Sequence, residues 1–365
     1  MKICLLVILV CLYFSNLSGQ ELKVQAEFQG TYHKLNTLEI RLDANRILIT
    51  ENKLPLYTEE IAGKKVFKAS HAENYFLISS YQFSTEKTDY PAEVRLFDKS
   101  GMMILPLRFT APYDLPHPLL DVNDNGVLAS FDPLTYKVKL IGEEIYKEIE
   151  LEKDVPFEME RAAYLQMNED LLYILTSRQA LDITEEANNV SLYRINISDL
   201  SFVQRKIDYN TPTTLKLIGG YLFISGVKFE NLQPLGRTIK YNLNLDEIAA
   251  NDMIIEKIIF YENKFFAKYF NKIYELDDNL KVNRELSFAS GERIVDLIAL
   301  NDKIFVVTHN SGENFLYQLS FDFNIDFKQS LNIFEVKNLT FLSSAENTLI
   351  INHDSKSTLL QLNEN

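Results

Sequence analysis

The stretch Ile298-Ala-Leu-Asn-Asp-Lys-Ile-Phe-Val-Val-Thr308, followed by Asn314-Phe-Leu-Tyr-Gln-Leu-Ser320, reads as strand, tight turn, strand, loop, strand. Asn301-Asp302 supplies the turn, because both side chains tolerate a left-handed backbone and can bond to it locally. Ile304-Phe-Val-Val307 is continuously apolar, as a strand covered on both faces must be, whereas Leu316-Tyr-Gln-Leu319 carries one polar residue inside an apolar run.

The same pattern recurs along the chain. Second and third strands are expected at Tyr75–Ser79 and Val94–Phe97, Val127–Ser130 and Tyr136–Leu140, Leu171–Leu175 and Leu192–Ile195. They continue at Tyr221–Ser225 and Ile239–Leu243, Lys264–Ala267 and Ile273–Leu276, Ile304–Val307 and Leu316–Leu319, Thr348–Ile351 and Leu359–Leu362. Second strands recur every ~40 to ~52 residues, the spacing of four-stranded repeat units. Fourth strands are read at Met102–Leu105, Ile145–Ile149, Phe202–Ile207 and Arg284–Phe288. The last unit has none, and Leu22–Phe28 alternates as a strand without a hairpin partner. A ring of sheets leaves no open edge if that first strand completes the last sheet.

These repeats resemble a β-propeller over essentially the whole chain after residue 19. The resemblance implies an all-β propeller of seven blades of four antiparallel strands, with the ring closed by the N-terminal strand. Eight blades follow if residues 37–62, which read as strand, turn, strand and a third strand, form a blade of their own. No Trp is present, so no WD40 dipeptide occurs, and neither kelch Gly-Gly pairs nor Asp boxes recur. The resemblance therefore carries architecture and no activity.

Residues 1–19 pair Lys2 with an apolar run from Ile3 to Phe14 and small residues up to Gly19, the pattern of a cleaved secretory signal. The apolar run is short for a membrane span, so the expected mature chain, residues 20–365, is a single exported propeller domain without membrane insertion. Cys4 and Cys11, the only cysteines, both fall in the leader, which excludes disulfides and thiolate metal sites downstream. Without Lys2 the 37 basic side chains become 36 against 51 acidic ones, a net charge of −15. That balance excludes nucleic acid and anionic membrane as partners.

Asp121-Val-Asn123-Asp-Asn125-Gly126 and Asp132 match the oxygen spacing of a calcium loop. However, Asn125-Gly126 also drives a hairpin, and a structural turn is the reading favoured here. His33, His71, His117, His309 and His353 are spread one per region without metal-ligand spacing and are read as surface or loop residues. The acidic pairs Glu59-Glu60, Glu143-Glu144, Glu185-Glu186 and Asp277-Asp278 are read as solvated turns, since neighbours on a strand face opposite ways. Asn189, Asn196 and Asn338 head glycan-acceptor sequons. No nucleophile elbow, phosphate loop or dinucleotide fingerprint occurs.

The expectation is a monomeric, exported, non-catalytic binding or scaffold propeller, without cofactor or metal, that recognises a protein or glycan through its loops. Tyr81, Phe83 and Tyr90 in one long loop, and His117 in the rigid Asp114-Leu-Pro-His-Pro118 connection, are the candidate binding residues. Residues 80–92, 178–190 and 227–237 are expected as long loops. The competing expectation is a propeller enzyme, a metal-dependent hydrolase or a glycan-acting one, with its groups meeting in the axial funnel.

Overall fold

The computed structural model describes residues 23–362, apart from 36, 44–45, 62–63, 73, 83–88, 99–100, 102–106, 113–118, 133–135, 152–159, 179–189, 210, 231–232, 332–338, 346–347 and 354–355. The chain is all-β, opening with β1 (Lys23–Gln29). The first meander is β2 (Thr31–Leu35), β3 (Leu38–Leu42), β4 (Arg46–Glu51) and β5 (Leu54–Glu60). The second is β6 (Lys64–His71), β7 (Tyr75–Gln82), β8 (Asp89–Asp98) and β9 (Leu107–Pro112). The third is β10 (Leu119–Val122), β11 (Leu128–Asp132), β12 (Lys137–Ile141) and β13 (Tyr146–Glu150). The fourth is β14 (Glu160–Asn168), β15 (Leu171–Arg178), β16 (Val190–Asn196) and β17 (Phe202–Ile207).

The fifth meander is β18 (Thr211–Ile218), β19 (Tyr221–Glu230), β20 (Gln233–Tyr241) and β21 (Glu247–Asn251). The sixth is β22 (Lys257–Tyr261), β23 (Lys264–Tyr269), β24 (Lys272–Leu276) and β25 (Val282–Ser287). The seventh is β26 (Arg293–Leu300), β27 (Lys303–Asn310), β28 (Glu313–Ser320) and β29 (Ile325–Leu331). The last sheet joins β30 (Leu339–Ala345), β31 (Thr348–His353) and β32 (Lys356–Gln361) to β1 in the order β1-β32-β31-β30.

This is a β-propeller built of four-stranded antiparallel sheets. Among the described residues there are eight such sheets, which corrects the expectation of seven. Residues 31–60 form a complete sheet because Gly30, at a left-handed φ of 81°, turns the chain out of β1 directly into β2. The first strand completes the last sheet as expected: β1 runs antiparallel to β32, from Lys23 opposite Gln361 to Gln29 opposite Lys356. Ser357 Oγ donates to the Gly30 carbonyl at 2.8 Å and pins the exit of that strand. The fourth strand placed at 102–105 falls outside the described residues, and β9 lies beyond it.

The strands gather into two compact units, one of residues 32–269 with 275–283, the other of residues 1–31, 270–274 and 284–365. In the first unit the apolar cores lie between successive sheets. Phe131, Val138 and Leu140 pack with Leu172, Ile174 and Tyr193, and Tyr173 and Leu192 pack with Leu222 and Ile224. In the second unit Phe305, Val307 and Leu316 pack with Leu349, Ile351 and Leu360. Second strands such as β11 and β23 are buried on both faces, which is why they read as uninterrupted apolar runs, whereas fourth strands such as β5 and β25 are largely exposed.

Two turn types repeat. The turn from first to second strand is a two-residue turn with both central residues left-handed, seen in Asn301 (φ 49°) and Asp302 (φ 57°), Glu262 (46°) and Asn263 (61°), and Gly219 (58°) and Gly220 (76°). The turn from third to fourth strand starts on a residue whose side chain caps it. Asn242 Oδ1 accepts from the N–H groups of Asn244 and Asp246 at 2.9 Å, and Asp277 Oδ1 from those of Asn279 and Lys281 at 2.8 Å. Leu245 (φ 69°) and Leu280 (φ 61°) occupy the left-handed position of these turns and are buried. A left-handed leucine costs roughly 1–2 kcal/mol, which the paired cap bonds and the burial of the side chain offset.

Candidate functional site

In a four-stranded meander the hairpin from second to third strand and the connection to the next sheet emerge at the same end. Tyr81 lies on β7, opposite Lys65 and Ala92, and Tyr90 lies on β8 opposite Ala111. Asp89, the first residue of β8, pairs with Pro112, the last of β9. Phe83 and His117 lie outside the described residues. Tyr81 and Tyr90, expected in a loop, are strand residues.

Of the other two segments expected as loops, 178–190 falls outside the described residues except for its ends in β15 and β16, and 227–237 joins β19 and β20. The described residues of 227–237 are not a loop but a paired ribbon. Val227 faces Gly236, Lys228 faces Leu235, Phe229 faces Pro234 and Glu230 faces Gln233. Pairing with β18 ends at Val227 and pairing with β21 ends at Thr238, so the ribbon extends past both flanking strands. Lys228 Nζ anchors its base to Asp208 at 2.5 Å and to Glu230 at 2.8 Å. Gly236 lets it lie close to its neighbour, since a Cβ there would meet Ile254 Cγ1 at 2.4 Å. Leu235 is left 44% exposed.

Within each unit the sheets also carry buried polar nodes. Arg95, buried on β8, donates to both carboxylate oxygens of Glu59 at 2.5 Å, to Glu93 at 2.6 Å and to Ser80 Oγ at 3.0 Å. The Tyr57 hydroxyl donates to Glu59 at 2.5 Å. Burial and then that bond push the Tyr57 phenol up to about 12. Burial opposes the charge of Arg95, but its hydrogen bonds to Glu59 and Glu93 overcome this and hold it above the ordinary arginine range. Glu59 is thus an ion-pair partner joining two sheets and not a solvated turn residue.

In the fifth sheet Thr238 Oγ1 bonds Ser225 Oγ at 2.9 Å, and Ser225 Oγ accepts from the Ile255 N–H at 2.8 Å. In the seventh, Glu292 just before β26 accepts from Thr308 Oγ1 at 2.5 Å and from the Tyr317 hydroxyl at 2.6 Å. The nodes clamp the connection between sheets onto the second and third strands. The signal in the sequence was a polar residue inside a buried strand, such as Arg95 in Val94-Arg-Leu-Phe97, which requires a partner.

The calcium-like segment is a hairpin turn between β10 and β11. Asn123 Oδ1 accepts from the N–H groups of Asn125 at 3.1 Å and Val127 at 2.9 Å, and Gly126 takes the left-handed position at φ 74°. Asp121 turns to the next sheet, where its Oδ2 accepts from the Met167 N–H at 2.8 Å. Asn123 Nδ2 reaches the Glu169 carbonyl at 2.6 Å. Of the residues that suggested a metal loop, Asn123 caps the turn with its oxygen, and Asp121 Oδ2 and Asn123 Nδ2 tie one sheet to the next.

His33, His71, His309 and His353 lie on strands and not in loops, and His33, contrary to a surface reading, is buried with its ring 5.2 Å from that of Phe76. Among the described residues no group of three or more His, Cys, Asp or Glu converges as a metal site. Asp277 caps a turn as described, Asp278 receives Lys240 from the neighbouring sheet at 3.4 Å, and Glu143-Glu144 is exposed. Lys240 is itself 1% exposed, its Nζ 3.8 Å from the centroid of the Tyr221 ring. Glu185-Glu186, Asn189 and Asn338 lie outside the described residues, while Asn196 Oδ1 accepts from the Ser198 N–H at 2.9 Å. No described helix is long and apolar enough to cross a membrane.

No protein-family model and no curated protein matches the chain. Solved structures do. A structure titled "Structure of Dos1 propeller" superposes with a TM-score of 0.59 at 12% identity over 94% of this chain and 96% of that one. Apo AztD from Citrobacter koseri gives 0.53 at 12% identity over 92% and 94%, and a second AztD structure 0.51 at 12% over 89% and 88%. At this identity the likeness extends to the propeller fold alone.

Proposed function

We propose that this chain is an exported, non-catalytic binding or scaffold propeller that recognises a protein or glycan at the hairpin end of its sheets. The observation that carries the reading is the β19–β20 ribbon. It runs past both flanking strands, is anchored at its base by Lys228, and presents Leu235 to solvent. An extended, braced hairpin adds nothing to the sheet core, and exposed ribbons on rigid frames are common recognition elements. Tyr81 and Tyr90 lie at the ends of β7 and β8 that flank the corresponding connection of the second sheet, in the same unit. Export rests on the leader-like residues 1–19.

The test is a glycan and peptide array probed with the protein from residue 20 onward. The second sample is a variant in which residues 228–235 are replaced by Asn-Gly, so that Val227 and Gly236 close a short hairpin. Binding that is lost in this variant, with the thermal midpoint retained, supports the reading. Turnover of ester, lactone or glycosidic substrates with divalent metals supplied, unaffected by shortening the ribbon, would overturn it in favour of the enzyme.

A further inference from the structure

We propose that the free edge between β18 and β22 holds a small oxyanion, a carboxylate or phosphate, between the ammonium of Lys216 and the backbone N–H of Phe260. Each first strand is an edge strand of its sheet, and its outward N–H groups need acceptors from elsewhere. In consecutive sheets of the same unit these strands lie side by side, β10 by β14, β14 by β18 and β18 by β22.

At two successive steps the acceptor is a side chain from the preceding first strand. Asp121 Oδ2 accepts from the Met167 N–H at 2.8 Å, and Gln166 Oε1 accepts from the Leu217 N–H at 2.7 Å. The register of the third step is the same. Gln166 lies opposite Tyr173 and Lys216 opposite Phe223 in their hairpins. Met167 lies opposite Leu172, Leu217 opposite Leu222 and Phe260 opposite Phe265. Lys216 thus stands where Asp121 and Gln166 stand, and Phe260 where Met167 and Leu217 stand.

An ammonium has three donors and no lone pair. Where the first two steps match an acceptor to an amide, the third sets a donor against an amide. Among the described residues Lys216 makes no hydrogen bond or ion pair, and Phe260 has no tie like those of Met167 and Leu217. The strands remain close at this step, since a Cβ on Gly219 would lie 3.2 Å from the Phe260 ring.

An oxyanion accepts from both groups and takes the place that the Asp121 and Gln166 oxygens fill at the other steps. Lys257 on β22 adds positive charge, and Asp121 on β10 is the opposing negative one. Lys216 is exposed to solvent, and the protein around its ammonium, by desolvation first and Lys257 second, holds it below the usual lysine range, with Asp121 pulling the other way. A bound anion relieves both unfavourable effects.

Thermal unfolding of the wild type and of Lys216→Gln in sodium phosphate, acetate and chloride at matched ionic strength tests this. Glutamine restores the acceptor that Gln166 provides, so the variant is expected to exceed the wild type in chloride and to lose the anion-specific part of the shift. A larger wild-type shift in phosphate than in acetate identifies a phosphate, and the reverse a carboxylate. Trace acetylation of Lys216, read by mass spectrometry, is expected to slow several-fold when the favoured anion is present. Equal anion shifts in the two proteins, or unchanged Lys216 labelling, would overturn the proposal and leave only a general salt effect.

Discussion

Glu292 Oε1 accepts a hydrogen bond from the Tyr317 hydroxyl at 2.6 Å, in a site where the carboxylate is 4% exposed. A carboxylate taken out of water needs donors, and here Tyr317 and Thr308 provide them. Burial and the bond to Glu292 raise the Tyr317 phenol well above the usual tyrosine range.

Tyr317→Phe should therefore destabilise the protein by about 2 kcal/mol, the worth of a hydrogen bond to a charged group. Chemical denaturation of the purified variant measures it. A loss no larger than that of an exposed Tyr→Phe control would show that Glu292 does not depend on this donor.

Asp121→Ala removes the acceptor of the Met167 N–H and should cost about 1–3 kcal/mol, by the same amount with calcium as with a chelator. Calorimetry with calcium provides the independent check. A micromolar calcium site that disappears in this variant would show that the metal-loop spacing, and not the tie between sheets, governs these residues.

Deleting residues 21–30 uncovers the edge of β32 and removes the Gly30 carbonyl that holds Ser357. The shortened protein should lose several kcal/mol of stability and aggregate, because an open strand edge pairs with other chains. Unchanged melting and solubility would contradict the role assigned to β1.

Tyr57 and Tyr241 are both raised to about 12, chiefly by burial. Their phenols ionise near pH ~10 in the unfolded chain, so the folded state keeps protons that the unfolded state releases. This contribution to stability is fully present below pH ~10 and is lost as pH rises towards ~12. Denaturation across that window should show declining stability, and Tyr241→Phe should flatten the decline. Ultraviolet titration of the native protein should find these phenols ionising later than exposed ones.

Much of the architecture was written in the chain because a doubly covered strand must be apolar along its length. Runs such as Ile304–Val307 and Leu171–Leu175 declare themselves, and Asn301-Asp302 marks its own turn. The first meander was harder to count, since β2 follows β1 after only Gly30 and looks like a continuation of it. The 227–237 segment read as a loop because Pro234 and Gly236 are turn formers, although both sit in a paired strand. The partners within the polar nodes were not legible for a different reason. Glu59 and Arg95, or Glu292 and Tyr317, are far apart in sequence, and nothing local specifies which buried charge meets which donor.

The pairing of β1 with β32 also constrains the order of events during biosynthesis. Ser357 and Gly30 are 327 residues apart, so the strand made early has no hydrogen-bonding partner until the far end of the chain has been synthesised. The intervening meanders can each fold from local contacts as they emerge, whereas the last sheet must wait for its two ends to meet. Closing so long a loop is the step of highest entropy cost, and it makes the joined sheet the natural rate-limiting stage of maturation.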